Sequence, residues 1–276
     1  MQLKRLRNII LLVIILLLTL LSLLDLKTFQ KEALASVNVF SNASEQTTKS
    51  VSQLTYDMSC QDKLKGNILV KYTRNQSMFN RVKGFRQQIK LNPYSTIQDQ
   101  YTLVYKALLE NNQSSLYQFL SVLKDSLKLK KCNQNDVARI VVELVQNLPY
   151  RFIHYNSCNY WTEKDEFHAI PCESNANPLG VLAPYETCFN AYGDCDSKAL
   201  LAYQMLDFFD IPVNIWWSDV YHHAIIGIAF LDIPILSAKY ILKDGRYYYA
   251  ADLTSRDEIG YINPLYSNLN NWKIIL

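Results

Sequence analysis

The chain has 276 residues, 49% of them hydrophobic and 19% charged, with a formal net charge of +3. That length and apolar content suffice for one large or two small globular units with a proper core, and so mild a charge argues against a nucleic-acid partner, all the more because Lys4, Arg5 and Arg7 lie ahead of the first apolar run. Seven glycines in the whole chain leave little room for a phosphate-cradling loop, and no internal repeat is visible.

Residues 9–24 are apolar apart from Thr19 and Ser22, follow a basic start and stop at Asp25 and Lys27. In length the run falls between a signal-peptide core and a full membrane span. Ala33-Leu34-Ala35-Ser36 resembles a cleavage site, but Asp25, Lys27, Lys31 and Glu32 separate it from the apolar run, so residues 1–27 read as an uncleaved membrane anchor. The positive-inside rule then keeps the N-terminus in the cytoplasm and puts the rest of the chain outside it. Residues 28–60 are polar and Ser/Thr-rich and read as a linker.

Residues 61–148 read as a helical subdomain. Segments 99–109, 115–127 and 135–145 carry apolar residues three and four apart, with breaks at Asn111-Asn112 and Lys131-Cys132-Asn133, and Tyr101, Leu103, Tyr105 and Leu108 read as core. From residue 149 to 184 there is almost no period, but His154, Cys158, His168 and Cys172 stand at spacings that two chemistries can use. One is a four-ligand zinc site. The other, favoured by an extracytoplasmic location, is a Cys158–Cys172 disulfide. Cys60 and Cys132 are a further candidate pair, and Cys188 has no evident partner.

The stretch Gly193-Asp194-Cys195-Asp196-Ser197-Lys198 places a thiol where a turn becomes a helix. Asp194 is a good N-cap, and apolar positions at 199, 200, 203, 206 and 209 recur at helical spacing until Asp210-Ile211-Pro212 ends the element. A cysteine in a first turn meets unpaired amides and the positive end of the helix dipole, which favour a thiolate. Residues 213–217 and 221–230 then read as one hairpin, and 239–242 with 247–251 as a second, whose Lys243-Asp244-Gly245-Arg246 link carries a strong turn signal. Alternation along the strand puts His223, Ile225 and Gly227 on one face and His222, Ala224 and Ile226 on the other, so only one of the two histidines can serve the thiol. Asp252 follows the last strand. A Cys nucleophile, a His base and an Asp that orients the base are the parts of a catalytic triad.

Pro184-Tyr185-Glu186-Thr187 through Gly193-Asp194-Cys195-Asp196-Ser197-Lys198, then His223-Ala224, then Asp252-Leu253-Thr254, resemble the transglutaminase-like superfamily core, and within it the bacterial membrane-anchored cysteine-peptidase group. The resemblance spans residues 141–255. It implies an α+β fold for residues 149–276, papain-like, with the nucleophile helix packed on an antiparallel sheet. It also implies Cys195 as acyl-accepting nucleophile, His223 as base and Asp252 as its partner, with no cofactor or metal. His222 stands as the rival base, since the family pattern has one His where this chain has two. The backbone N–H of Cys195 is the implied oxyanion donor, and Gln146 and Tyr192 are candidates for the second. The expected activity is hydrolysis of a peptide or amide bond in a protein or peptide of the cell envelope, where envelope proteins are possible partners. Cross-linking to an amine acceptor and a catalytically silent binding module are the alternatives.

Overall fold

The computed structural model describes residues 55–62, 66–112, 114–156, 158, 171–174, 176–229 and 238–276. The expected anchor, most of the linker and His168 lie outside them. Among the described residues no helix is long and apolar enough to cross a membrane.

The first element is a strand where a linker was expected. β1 (Thr55–Asp62) pairs antiparallel with β2 (Gly66–Thr73). The signal lay in β2, where Ile68, Val70 and Tyr72 are buried and Leu69 between them is exposed, the period-two pattern of a half-buried strand. Four helices follow: α1 (Gln76–Gln88), α2 (Ile97–Asn112), α3 (Tyr117–Leu129) and α4 (Gln134–Gln146). The last three fall on the segments whose periodicity predicts them. α4 opens with a reciprocal cap, Asn133 accepting from the Asp136 N–H while the Asp136 carboxylate accepts from the Asn133 N–H. Along α2, Tyr105 and Leu108 are core as expected, but Leu103 is 47% exposed.

Short strands β3 (Phe152–Ile153) and β4 (Cys172–Glu173) pair in parallel, and Cys158 is disulfide-bonded to Cys172. That bond takes both sulfurs out of the zinc set. α5 (Pro184–Asn190) then ends in Ala191 at φ 60, and the chain turns through Gly193 into α6 (Cys195–Phe208). Gly193 sits in a tight place: a Cβ there would lie 3.0 Å from Thr187 Cγ2 and 3.2 Å from Ser197 Cβ, while its N–H and C=O bond to Pro149 and Arg151.

Beyond α6, β5 (Val213–Ser218), β6 (His223–Ala229), β7 (Tyr240–Lys243), β8 (Arg246–Ala251) and β9 (Lys273–Ile274) form an antiparallel sheet in the order β7-β8-β6-β5-β9. Asp244 and Gly245, both at positive φ, make the expected tight turn. α6 is buried nearly all round, the signature of a helix inside a core rather than on its surface. One cluster accordingly runs from Met58 and Val70 through Leu108, Leu144, Leu200 and Met205 to Ile226 and Ile228. The helical part and the sheet share a core, and residues 53–276 form one compact unit. The architecture is mixed α+β, helices against an antiparallel sheet.

The opposite face of the sheet is sealed by Trp216, Ile225, Ala250, Ile262 and Trp272. Here Gly227 has no room for a side chain, because Asn214 Oδ1, accepting from Trp216 Nε1 at 2.6 Å, lies 2.3 Å from where a Cβ would stand. Gly227→Ala is expected to destabilise the protein by about 1–3 kcal/mol through overpacking, read as a lowered urea midpoint. An unchanged midpoint would mean that the Asn214–Trp216 pair can shift at no cost.

Candidate active site

Cys195 is the first residue of α6, with Asp194 as N-cap: the Asp194 carboxylate accepts the Ser197 N–H at 3.0 Å. The thiol is 6% exposed. The Ala224 N–H at the start of β6 bonds to it, which brings the sulfur against the main chain next to His223.

His223 and Asp252 are joined directly, Nε2 to Oδ2 at 3.1 Å. His222 is not part of this pair. It sits in the turn before β6, exposed and at φ 47, while His223 opens the strand opposite Ser218. Strand alternation does not separate the two histidines: His222 lies before the strand, and the face that His223 shares with Ile225 is the one sealed by Trp216 and Trp272, while Ala224 and Ile226 face α6. The second carboxylate oxygen of Asp252 accepts from Thr254, from N–H at 2.8 Å and from the hydroxyl at 2.7 Å. Burial raises the Asp252 pKa, but the hydrogen bond and charge of His223 and the Thr254 donors outweigh it and leave the carboxyl below its ordinary value. Such an acid stays ionised at neutral pH.

The thiol's own electrostatics differ from the sequence expectation. Burial first, then the charges of Asp196 and Asp194, push Cys195 well above an ordinary thiol, against the pull of the Ala224 N–H. The first-turn advantage is overridden because the cysteine is buried between two carboxylates, Asp194 buried and Asp196 half-buried. Sγ–H of Cys195 points to Asp196 Oδ2 at 3.4 Å, and the Tyr105 hydroxyl donates to Asp196 Oδ1. Burial and the Asp196 charge raise Asp194, and burial raises Asp196 against the hydrogen bonds from Tyr105 and Cys195.

Two candidate oxyanion donors are committed elsewhere. Gln146 Nε2 donates to the carbonyls of Asp252, at 2.8 Å, and Asp257, at 3.0 Å, which uses both amide hydrogens. The Tyr192 hydroxyl donates to Glu173 at 2.9 Å beneath the Arg151 guanidinium. Glu186, on α5, forms a buried pair with Arg86.

Several residues near the site were not legible as such. Tyr101, read as core, packs against Trp217 with ring centroids 5.1 Å apart and the rings tilted by 35°, and its phenol is raised by burial and then by the Asp196 and Cys195 charges. Tyr266 and Trp272 place their rings 5.6 Å and 6.0 Å from the His223 ring, and Trp272 Nε1 is tied to the Tyr266 carbonyl at 2.8 Å. No chemistry was read into that C-terminal segment. Its two-residue strand β9 carries no periodicity, and only pairing with β5 brings it to the histidine. Lys198, three residues after Cys195, is 1% exposed and bonds to the carbonyls of Leu148 and Leu253. Burial lowers it to about 8 against the charges of Asp252, Asp194 and Cys195.

Scans against protein-family models and against curated proteins find no match for this chain.

Proposed function

We propose that this chain is a transglutaminase-like cysteine enzyme that transfers acyl groups through a thioester at Cys195, most simply to water, so that a peptide or amide bond in the cell envelope is hydrolysed. The observation that carries this reading is the His223 Nε2–Asp252 Oδ2 contact of 3.1 Å beside a thiol at the N-terminus of a helix packed on an antiparallel sheet, the arrangement of a papain-like core. Because Nε2 is turned to Asp252, Nδ1 is the nitrogen left to take the thiol proton. In the proposed cycle the Cys195 proton passes to Nδ1 and the sulfur attacks the substrate carbonyl carbon. The oxyanion is held by the first-turn amide of Cys195, an N–H with no partner inside its own helix. Collapse breaks the C–N bond, the imidazolium gives its proton to the departing amine, and a thioester remains. Water then attacks, His223 takes its proton, and the acid leaves as the thiol is restored. Residues 1–27 would hold the domain at the membrane, with residues 149–276 on its extracytoplasmic side.

A second reading, a silent binding module that keeps the fold, is favoured by one feature: the thiol donates to Asp196 and is held above its ordinary pKa. An acyl-type electrophile and intact-mass measurement separate the two. In the full-length chain, one fast label near neutral pH that disappears in Cys195→Ala is the expected result. Labelling no faster than a small free thiol would favour the silent module.

A further inference from the structure

Asp252 follows Ala251, the last residue of β8 and a paired one, so the ladder does not hold the carboxylate's own backbone. Two polar side chains from outside the sheet do. Gln146, at the end of α4, bonds to the Asp252 carbonyl at 2.8 Å and continues to the Asp257 carbonyl at 3.0 Å. Lys198, on α6, bonds to the next carbonyl along, Leu253, at 3.1 Å, and ties it to Leu148 at the end of α4, at 2.7 Å. The two clamp successive peptide units from the two helices that meet beneath the site. A buried ammonium is costly to keep, and an apolar side chain would serve the surroundings of Ala199, Leu200 and Leu201 without that cost. Among the described residues its hydrogen bonds go to the main chain next to Asp252 and to the entry of the strand region.

We propose that Gln146 and Lys198 are positioning residues of the triad, holding residues 252–254 so that the Asp252 carboxylate meets His223 Nε2. The proposal rests on the acyl-transfer reading above. Neither side chain touches substrate or sulfur in it. Both act through Asp252, so their loss should matter only while Asp252 is present.

The test is a double-mutant cycle on the full-length chain. Iodoacetamide labelling of Cys195 is followed by intact mass across pH in wild type, Gln146→Leu, Asp252→Ala and the double variant, with urea midpoints measured alongside. Gln146→Leu is expected to label about 10- to 100-fold more slowly at neutral pH, the cost of misplacing a catalytic group by a fraction of an ångström to an ångström. In the Asp252→Ala background the same change should cost nothing further. A wild-type rate for Gln146→Leu, or an equal loss in both backgrounds, would overturn the proposal and leave Gln146 as ordinary structure. Lys198→Met should follow the same pattern if it folds. Should it not fold, the Gln146 cycle decides alone. If wild-type Cys195 labels no faster than a free thiol, the acyl-transfer reading itself fails and takes this proposal with it, an outcome distinct from a live wild type with an indifferent Gln146.

Discussion

His223→Ala is expected to slow the neutral-pH labelling of Cys195 by about 10²- to 10⁴-fold, the range that a positioned general base supplies, whereas His222→Ala leaves the rate essentially unchanged. The contrast rests on two adjacent residues of the same type in different surroundings. His223 opens β6, contacts Asp252 at 3.1 Å and is flanked by Tyr266 and Trp272, while His222 sits exposed in the preceding turn at φ 47. The thiol's environment makes the base matter more than usual. Burial, Asp196 and Asp194 hold Cys195 above an ordinary thiol, so at neutral pH its unaided thiolate fraction is smaller than that of a free cysteine. The sign follows. In His223→Ala the residual labelling should rise only in alkaline solution, at higher pH than for a small thiol, whereas the wild type should already react near neutrality. Asp252→Asn should fall between the two, because the amide can still contact the ring but cannot stabilise an imidazolium. A dead His222→Ala beside a live His223→Ala would overturn the site as described.

The parts of this site that were legible are those written in local signals. Asp194 followed by apolar residues at helical spacing marks α6, Asp244-Gly245 marks the second hairpin, and the β-rich run from Ala224 to Ile228 marks β6. Each of these is decided within a few residues of itself. What was not legible depends on distant chain. Helical period says that Tyr105 points inward, but not that its hydroxyl would end on Asp196, beside Cys195. The helix N-terminus argues for a thiolate, and the opposing burial of Asp194 and Asp196 comes from packing that no first-turn rule contains. Gln146 is a candidate oxyanion donor in sequence, but a long amide can serve either an oxyanion or a neighbouring carbonyl, and only the fold shows that Asp252 and Asp257 claim it. β1 was missed because the alternation of β2 was absorbed into a mostly helical stretch.

Arg86→Met is expected to lower folding stability by about 3–5 kcal/mol, a large share of the roughly 5–15 kcal/mol typical of a domain, because it strands a buried carboxylate. Arg86 on α1 meets Glu186 on α5 through two bonds, Nε at 2.6 Å and Nη2 at 2.9 Å, and both side chains are almost wholly buried. Its third arm donates to the Asn177 carbonyl. Glu186 also reaches back to the Ala183 N–H at 3.1 Å, so the pair fixes the start of α5, whose far end leads through Ala191 and Gly193 to Cys195. Methionine fills much the same volume without the charge, so the loss reports electrostatics rather than a cavity. Urea unfolding followed by tryptophan fluorescence gives the measurement, with Arg86→Met combined with Glu186→Gln as its control. The double variant should recover part of the loss, since a buried amide without its cation costs less than a buried carboxylate. If the double variant is no more stable than Arg86→Met alone, the guanidinium is acting mainly through the Asn177 carbonyl. The clamp would then belong to the loop ahead of α5 rather than to α5 itself.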